Sequence, residues 1–109
     1  MKFKTVRSRA VRDSANGENC TVNIARVCNY NPATTVLAHI NTEGGKMGGK
    51  ESDLSACYAC SECHDRIDGR VMNAEFKEYE WFYLARAITR TIKLLYQKEI
   101  IKVKGVKCH

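Results

Sequence analysis

A chain of 109 residues is too short for two independent cores, and short enough that burial alone leaves it in need of an added constraint. A hydrophobic fraction of 44% with 28% charged residues excludes wholesale disorder, a single proline excludes a Pro-rich linker, and no run approaches the roughly eighteen apolar residues that span a bilayer. Eighteen Lys and Arg against twelve Asp and Glu leave a formal charge of +6, which favours a polyanionic partner, nucleic acid ahead of an anionic membrane.

The chain begins with Lys2, Lys4, Arg7, Arg9 and Arg12 before its first acid, Asp13, so residues 1–19 read as a basic arm, phosphate-facing or solvated. The arm lacks the apolar core of a signal peptide, which predicts an intracellular, reducing compartment. Cys20 to Asn31 carries Thr21, Val22, Ile24 and Val27 between two cysteines and predicts a strand or the limb of a zinc knuckle, closed by a turn at Asn29-Tyr30-Asn31-Pro32. Thr34 to Ile40 predicts a strand with His39 at its end. Gly44-Gly45 and Gly48-Gly49 then form a loop whose interleaved Lys46 and Lys50 suit close backbone approach to phosphate. A second strand is expected over Asp53 to Tyr58, and a short helix from Cys63 to Ile67 ending near Gly69.

From about Asn73 to Lys98, Trp81, Leu84, Ala85, Ile88, Ile92 and Leu95 recur at three- and four-residue steps and predict one long amphipathic helix. The stripe fits internal packing against the cysteine-rich half, and equally a homodimer seam. Arg86, Arg90 and Lys93 lie off it, either solvated or able to reach phosphate. Ile100 to Val106 alternates weakly, as an edge strand or a frayed tail.

Six cysteines in a reducing compartment point to metal rather than disulfides. Cys60-x-x-Cys63 is a chelating pair, because two intervening residues let both thiolates approach one tetrahedral ion. Cys20 and Cys28 complete a closed, structural Zn²⁺ site whose binding supplies folding free energy. Cys57-x-x-Cys60 is a competing register, and His64 in place of Cys20 or Cys28 is another; Cys57 and Cys108 are expected to stand outside the site.

His39 at a strand end, a glycine loop, and His64 directly after the chelating pair suggest a ββα metal finger. In such a motif the strand histidine is the general base, and helix residues hold a divalent cation beside the scissile phosphate. Asp68 lies four residues after His64 on the same helical face, so the two can share an ion, with Asp65 the next candidate.

The segment LAHINTEGGKMGGKESDLSACYACSECHDRIDGR, Leu37 to Arg70, resembles the HNH or His-Me finger endonucleases, whose pattern is Asp-His at a strand end, Gly-Gly, Asn, then Cys-x-x-Cys-His. With MKFKTVRSRAVRDS and VCNYNPATTVLAHI added, most of the chain is similar to the YbcO-like nucleases of lambdoid prophages. The resemblance implies one α+β domain over 1–109, a zinc-bound ββα finger with a long C-terminal helix, in the cytoplasm of a bacterial host. It implies metal-dependent hydrolysis of DNA phosphodiester bonds, with His39 as base, His64 and Asp68 on Mg²⁺ or Mn²⁺, and Lys46, Lys50, Arg66 and Arg70 gripping the backbone. Two positions depart from the pattern. Ala38 stands where many members carry a metal-binding Asp, and Ser55 where an Asn would orient the histidine; Asn41 or Ser55 is the expected substitute. If neither substitutes, the fold serves as a non-catalytic zinc-binding DNA adaptor in phage recombination or replication. In a third reading the helix stripe docks on a protein partner.

Overall fold

The computed structural model describes residues 4–41 and 52–107. It is a small α+β structure in which the chain first wraps an apolar core and then closes it with a helix. Helix α1, Arg9–Asp13, starts where the Ser8 hydroxyl accepts the Val11 N–H at 3.2 Å and buries Val11. Its end is tied inward by Ser14, whose hydroxyl lies 2.7 Å from the Tyr58 hydroxyl.

The stretch from Thr21 to Val27 is not a strand. Asn23 and Arg26 adopt positive φ (51° and 64°), and the Val27 and Cys28 amides both bond the Ile24 carbonyl. These bends bury the Val22 and Ile24 side chains while folding Cys28 back toward Cys20. The β-branched residues are apolar filling here, in a bent limb that carries Cys20 and Cys28. A 3₁₀ turn over Pro32–Thr34, capped by Asn31, then leads into the sheet.

Strands β1, Val36–His39, and β2, Ala56–Ala59, pair antiparallel with Leu37 opposite Tyr58 and His39 opposite Ala56. The second strand begins three residues later than the sequence suggested: Asp53 turns to the N-terminal segment, its amide bonding the Val6 carbonyl, while Ser55 still accepts the Ile40 amide at 2.8 Å just beyond the strand's end. Every residue of β2 is buried. Its free edge is covered: the Tyr58 carbonyl accepts the Thr21 amide at 2.8 Å, and the Tyr58 amide donates to the Thr91 hydroxyl at 3.2 Å.

Helix α2, Ser61–Ile67, follows β2 directly, with the Cys60 sulfur accepting the Cys63 amide at its first turn. Gly69, at φ 77°, ends it in the left-handed conformation that a side chain would oppose. The predicted single long helix is two: α3, Ala74–Glu78, and α4, Glu80–Gln97, separated by Tyr79 at φ −112° and ψ 25°. Periodicity missed the break because Phe76 and Tyr83, on either side of it, bury on one continuing stripe.

The buried face of α4 is Tyr83, Leu84, Ala87, Thr91 and Leu95. Leu84 and Leu95 were expected there, but Ala85 is exposed, and Trp81 and Ile92 are 69% and 45% exposed, so the true face is rotated from the predicted one. No strand forms between Ile100 and Val106. No described helix is long and apolar enough to cross a membrane.

Candidate metal centre and the His39 cleft

The bent 20–28 limb and the β2–α2 junction bring the Cys20, Cys28, Cys60 and Cys63 sulfurs within 4.8 Å of one another. Tetrahedral zinc with Zn–S bonds of about 2.3 Å has sulfurs about 3.8 Å apart; the Cys28 and Cys60 sulfurs are 3.9 Å apart. Three N–H groups already point at these sulfurs: the Asn23 amide at Cys20, the Asn23 side chain at Cys28, and the Cys63 amide at Cys60, at 3.4–3.5 Å. Such donors suit thiolates, and the set fits a metal ion such as zinc. The hydrogen bond from Cys63, working against burial, brings the Cys20 thiol down to about 5. The same bond and burial push Cys63 up, and burial raises Cys28.

Neither Cys57 nor His64 joins that cluster of four sulfurs. Cys57 faces the core opposite Ala38, where burial and the nearby Cys20 push its thiol up to about 12. His64 turns its imidazole to Asp68 instead. Arg86 and Arg90, candidate phosphate contacts from sequence, hold the limb to α4. Arg86 donates to the Val22 carbonyl at 2.7 Å and lies over the Phe82 and Tyr83 rings, while Arg90 reaches the Asn23 side chain at 2.9 Å.

On the far side of β1, His39 meets a residue that sequence reasoning had assigned only to a strand. Its Nε2 lies 2.8 Å from Asp53 Oδ1. Asp53 is 1% exposed and also accepts the Ser8 amide at 2.6 Å and the Arg12 guanidinium at 2.8 Å, with Arg7 at 3.7 Å. Burial would raise this carboxyl, but the His39 bond, the Ser8 amide and the two guanidinium groups hold it below its usual range. An ionised Asp53 only accepts, so His39 donates to it through Nε2, which leaves Nδ1 as the ring nitrogen not engaged with Asp53.

Two expectations change accordingly. Ser55 does not orient His39, since its hydroxyl donates to the Ile40 carbonyl at 2.8 Å. Nor is the N-terminal segment simply a basic arm: Arg7 and Arg12 neutralise Asp53, and the Asp53 amide bonds the Val6 carbonyl at 2.7 Å.

His64 Nε2 stands 3.1 Å from Asp68 Oδ2, as i,i+4 spacing on α2 requires. Asp68, at the end of α2, shares a cleft of about 270 Å³ with His39, Asn41, Glu80 and Trp81. The proposed base and one proposed cation ligand therefore face the same space, and Glu80 is a carboxylate there that the sequence did not single out. Arg70 is 63% exposed at its side chain and reaches both Asp65 and Asp68 at 3.3 Å. Arg66 is folded onto Glu62 at 2.9 Å. Lys46, Lys50 and the glycines between them, with Cys108, lie outside the described residues.

A family model described as "Putative nuclease YbcO" matches residues 9–100. Over 61 residues the chain is 52% identical to "Putative nuclease YbcO" of Escherichia coli (strain K12), and equally to "Putative nuclease ybcO" of Enterobacteria phage 82. The match covers 55% of this chain and 64% of each relative. A solved structure titled "Structure of a putative bacteriophage protein from Escherichia coli str. K-12 substr. MG1655" superposes with a TM-score of 0.67 at 38% identity, covering 83% of this chain and 100% of that one.

Proposed function

The chain belongs to the family described as "Putative nuclease YbcO", and on that premise we propose that it is a metal-dependent DNA endonuclease of the His-Me finger type, acting in the cytoplasm of a bacterial host. The observation that carries this reading is the shared cleft, with the His39 ring held through Nε2 by Asp53 and Asp68 on the same wall. In the proposed reaction His39 Nδ1 removes a proton from water as its oxygen attacks phosphorus. The bond from phosphorus to the leaving sugar oxygen breaks, and that oxygen takes a proton from solvent. His64 and Asp68 would hold a divalent cation, which would supply Lewis-acid stabilisation of the charge that develops at the phosphate. Arg70 contacts the flanking phosphate, with Arg66, Lys46 and Lys50 as further backbone contacts. The cysteine site holds structural zinc and fixes α2, and with it His64, relative to β1.

The position before the base bears on the rival reading. Ala38 is fully buried and its methyl side chain offers no ligand atom to a cation in the cleft. That favours, as a second reading, a zinc-stabilised DNA-binding module without chemistry. Cleavage of supercoiled plasmid by zinc-loaded protein, with Mg²⁺ or Mn²⁺ added, decides between them. Nicking that requires both the added ion and His39 supports the nuclease; retardation of DNA without nicking supports the module.

A further inference from the structure

Trp81 lies in the first turn of α4, off the face that packs on β2, and 69% of its surface is exposed. It is the single tryptophan of the chain, and it forms part of the cleft wall that carries His39 and Asp68. Phe82, the next residue in the chain, is 59% exposed. A large apolar surface kept out of the core, at the mouth of a polar cleft, is a binding surface rather than packing left over from folding.

The cleft wall around the ring carries Asp68 and Glu80 as well as His39, so a polyanion is favoured by the chain's net charge of +6 and by the exposed Arg70, which reaches Asp68 at 3.3 Å, while a flat indole favours a flat, π-faced group. Unpaired nucleotides combine the two. In a duplex both faces of each base are already stacked, so the indole gains a face only from a strand that is single, or opened at a flap, gap or mismatch.

We propose that Trp81 is a stacking platform for an unpaired base next to the phosphate bound in the His39 cleft, making the substrate single-stranded or locally unpaired DNA. This rests on the nuclease reading for the identity of the cleft, but the binding it predicts does not require turnover.

The single tryptophan reports on its own contact. Zinc-loaded protein is titrated in Ca²⁺ with a twelve-nucleotide oligo-dT and with a duplex of the same length, following indole fluorescence, while the anisotropy of labelled oligonucleotide follows affinity. The expected result is quenching by the single strand well beyond that by duplex, with Trp81→Ala weakening single-strand binding about tenfold or more, duplex binding unchanged and Trp81→Phe recovering much of the loss. Equal quenching by both DNAs, undiminished single-strand affinity in Trp81→Ala, or a fluorescence change that follows protein concentration instead of DNA would overturn the proposal; the last result identifies a protein interface. Cleavage of the labelled single strand in Mg²⁺ or Mn²⁺ is scored separately. Selective quenching without cleavage leaves the platform standing and removes the nuclease, whereas cleavage without selective quenching does the reverse.

Discussion

His39 Nε2 and Asp53 Oδ1 lie 2.8 Å apart, joining the end of β1 to a buried carboxylate across a separation of fourteen residues. The same carboxylate binds Arg12 and the Ser8 amide, so the orientation of the proposed base depends on the N-terminal segment as well as on the sheet.

Replacing that carboxylate separates geometry from charge. Asp53→Ala leaves the Ser8 amide, two guanidinium groups and His39 without their shared acceptor and is expected to cost about 2–4 kcal/mol in urea unfolding of the zinc-loaded protein. Asp53→Asn, which retains an acceptor oxygen, is expected to cost less. If both variants unfold like the wild type, the hub contributes nothing to stability.

The pH dependence has a definite sign. The Asp53 carboxyl is held below its ordinary value in the folded protein, so its contribution is fully present above the unfolded carboxylate pKa, about 3.9. It is lost as pH falls through the lower folded value. The difference in unfolding free energy between wild type and Asp53→Asn, measured in excess zinc, should stay level from about pH 7 to 5 and narrow below about pH 4. A difference that does not narrow below about pH 4 would remove the Asp53 carboxylate as the controlling group.

Metal removal tests the ligand set. Chelation is expected to lower the melting temperature by at least about 10 °C, because metal binding in a domain of this size is folding free energy. Cys28→Ser should lose stoichiometric zinc. Cys57→Ala should keep one zinc per chain at a packing cost of about 1 kcal/mol. Zinc content by mass spectrometry with matched melting curves checks both, and loss of zinc from Cys57→Ala would restore the competing register.

Arg86 separates a structural from a phosphate-binding role. Arg86→Ala removes the bond to the Val22 carbonyl and the packing over Phe82 and Tyr83, and should destabilise by about 1–3 kcal/mol. The salt dependence of DNA affinity should keep its slope, since no phosphate contact is lost. A shallower slope with unchanged stability would place Arg86 on DNA.

Local spacing carried a good part of this protein. Cys60-x-x-Cys63 has its chelating geometry within one turn of chain, and His64 and Asp68 meet because i,i+4 residues share a helical face. The end of α2 at Gly69 and the placement of His39 at the end of β1 are likewise short-range properties. Assigning Cys20 and Cys28 to the same site rested on composition and compartment, and their convergence became a matter of distance only once Asn23 and Arg26 had turned the limb.

Tertiary structure decided the rest. Thr91, a polar residue that apolar periodicity passes over, is buried because its hydroxyl bonds Thr21 and the Tyr58 amide; with Tyr83 and Ala87 it sets the packed face of α4 and leaves Trp81 on the cleft. Asp53 had no local signature, since the groups that make it a hub come from the other strand and from residues up to forty-six positions away. Periodicity and chelate spacing follow from backbone repeat geometry and are written in neighbouring residues. The worth of a buried carboxylate or hydroxyl depends on partners that only folding brings within hydrogen-bond range.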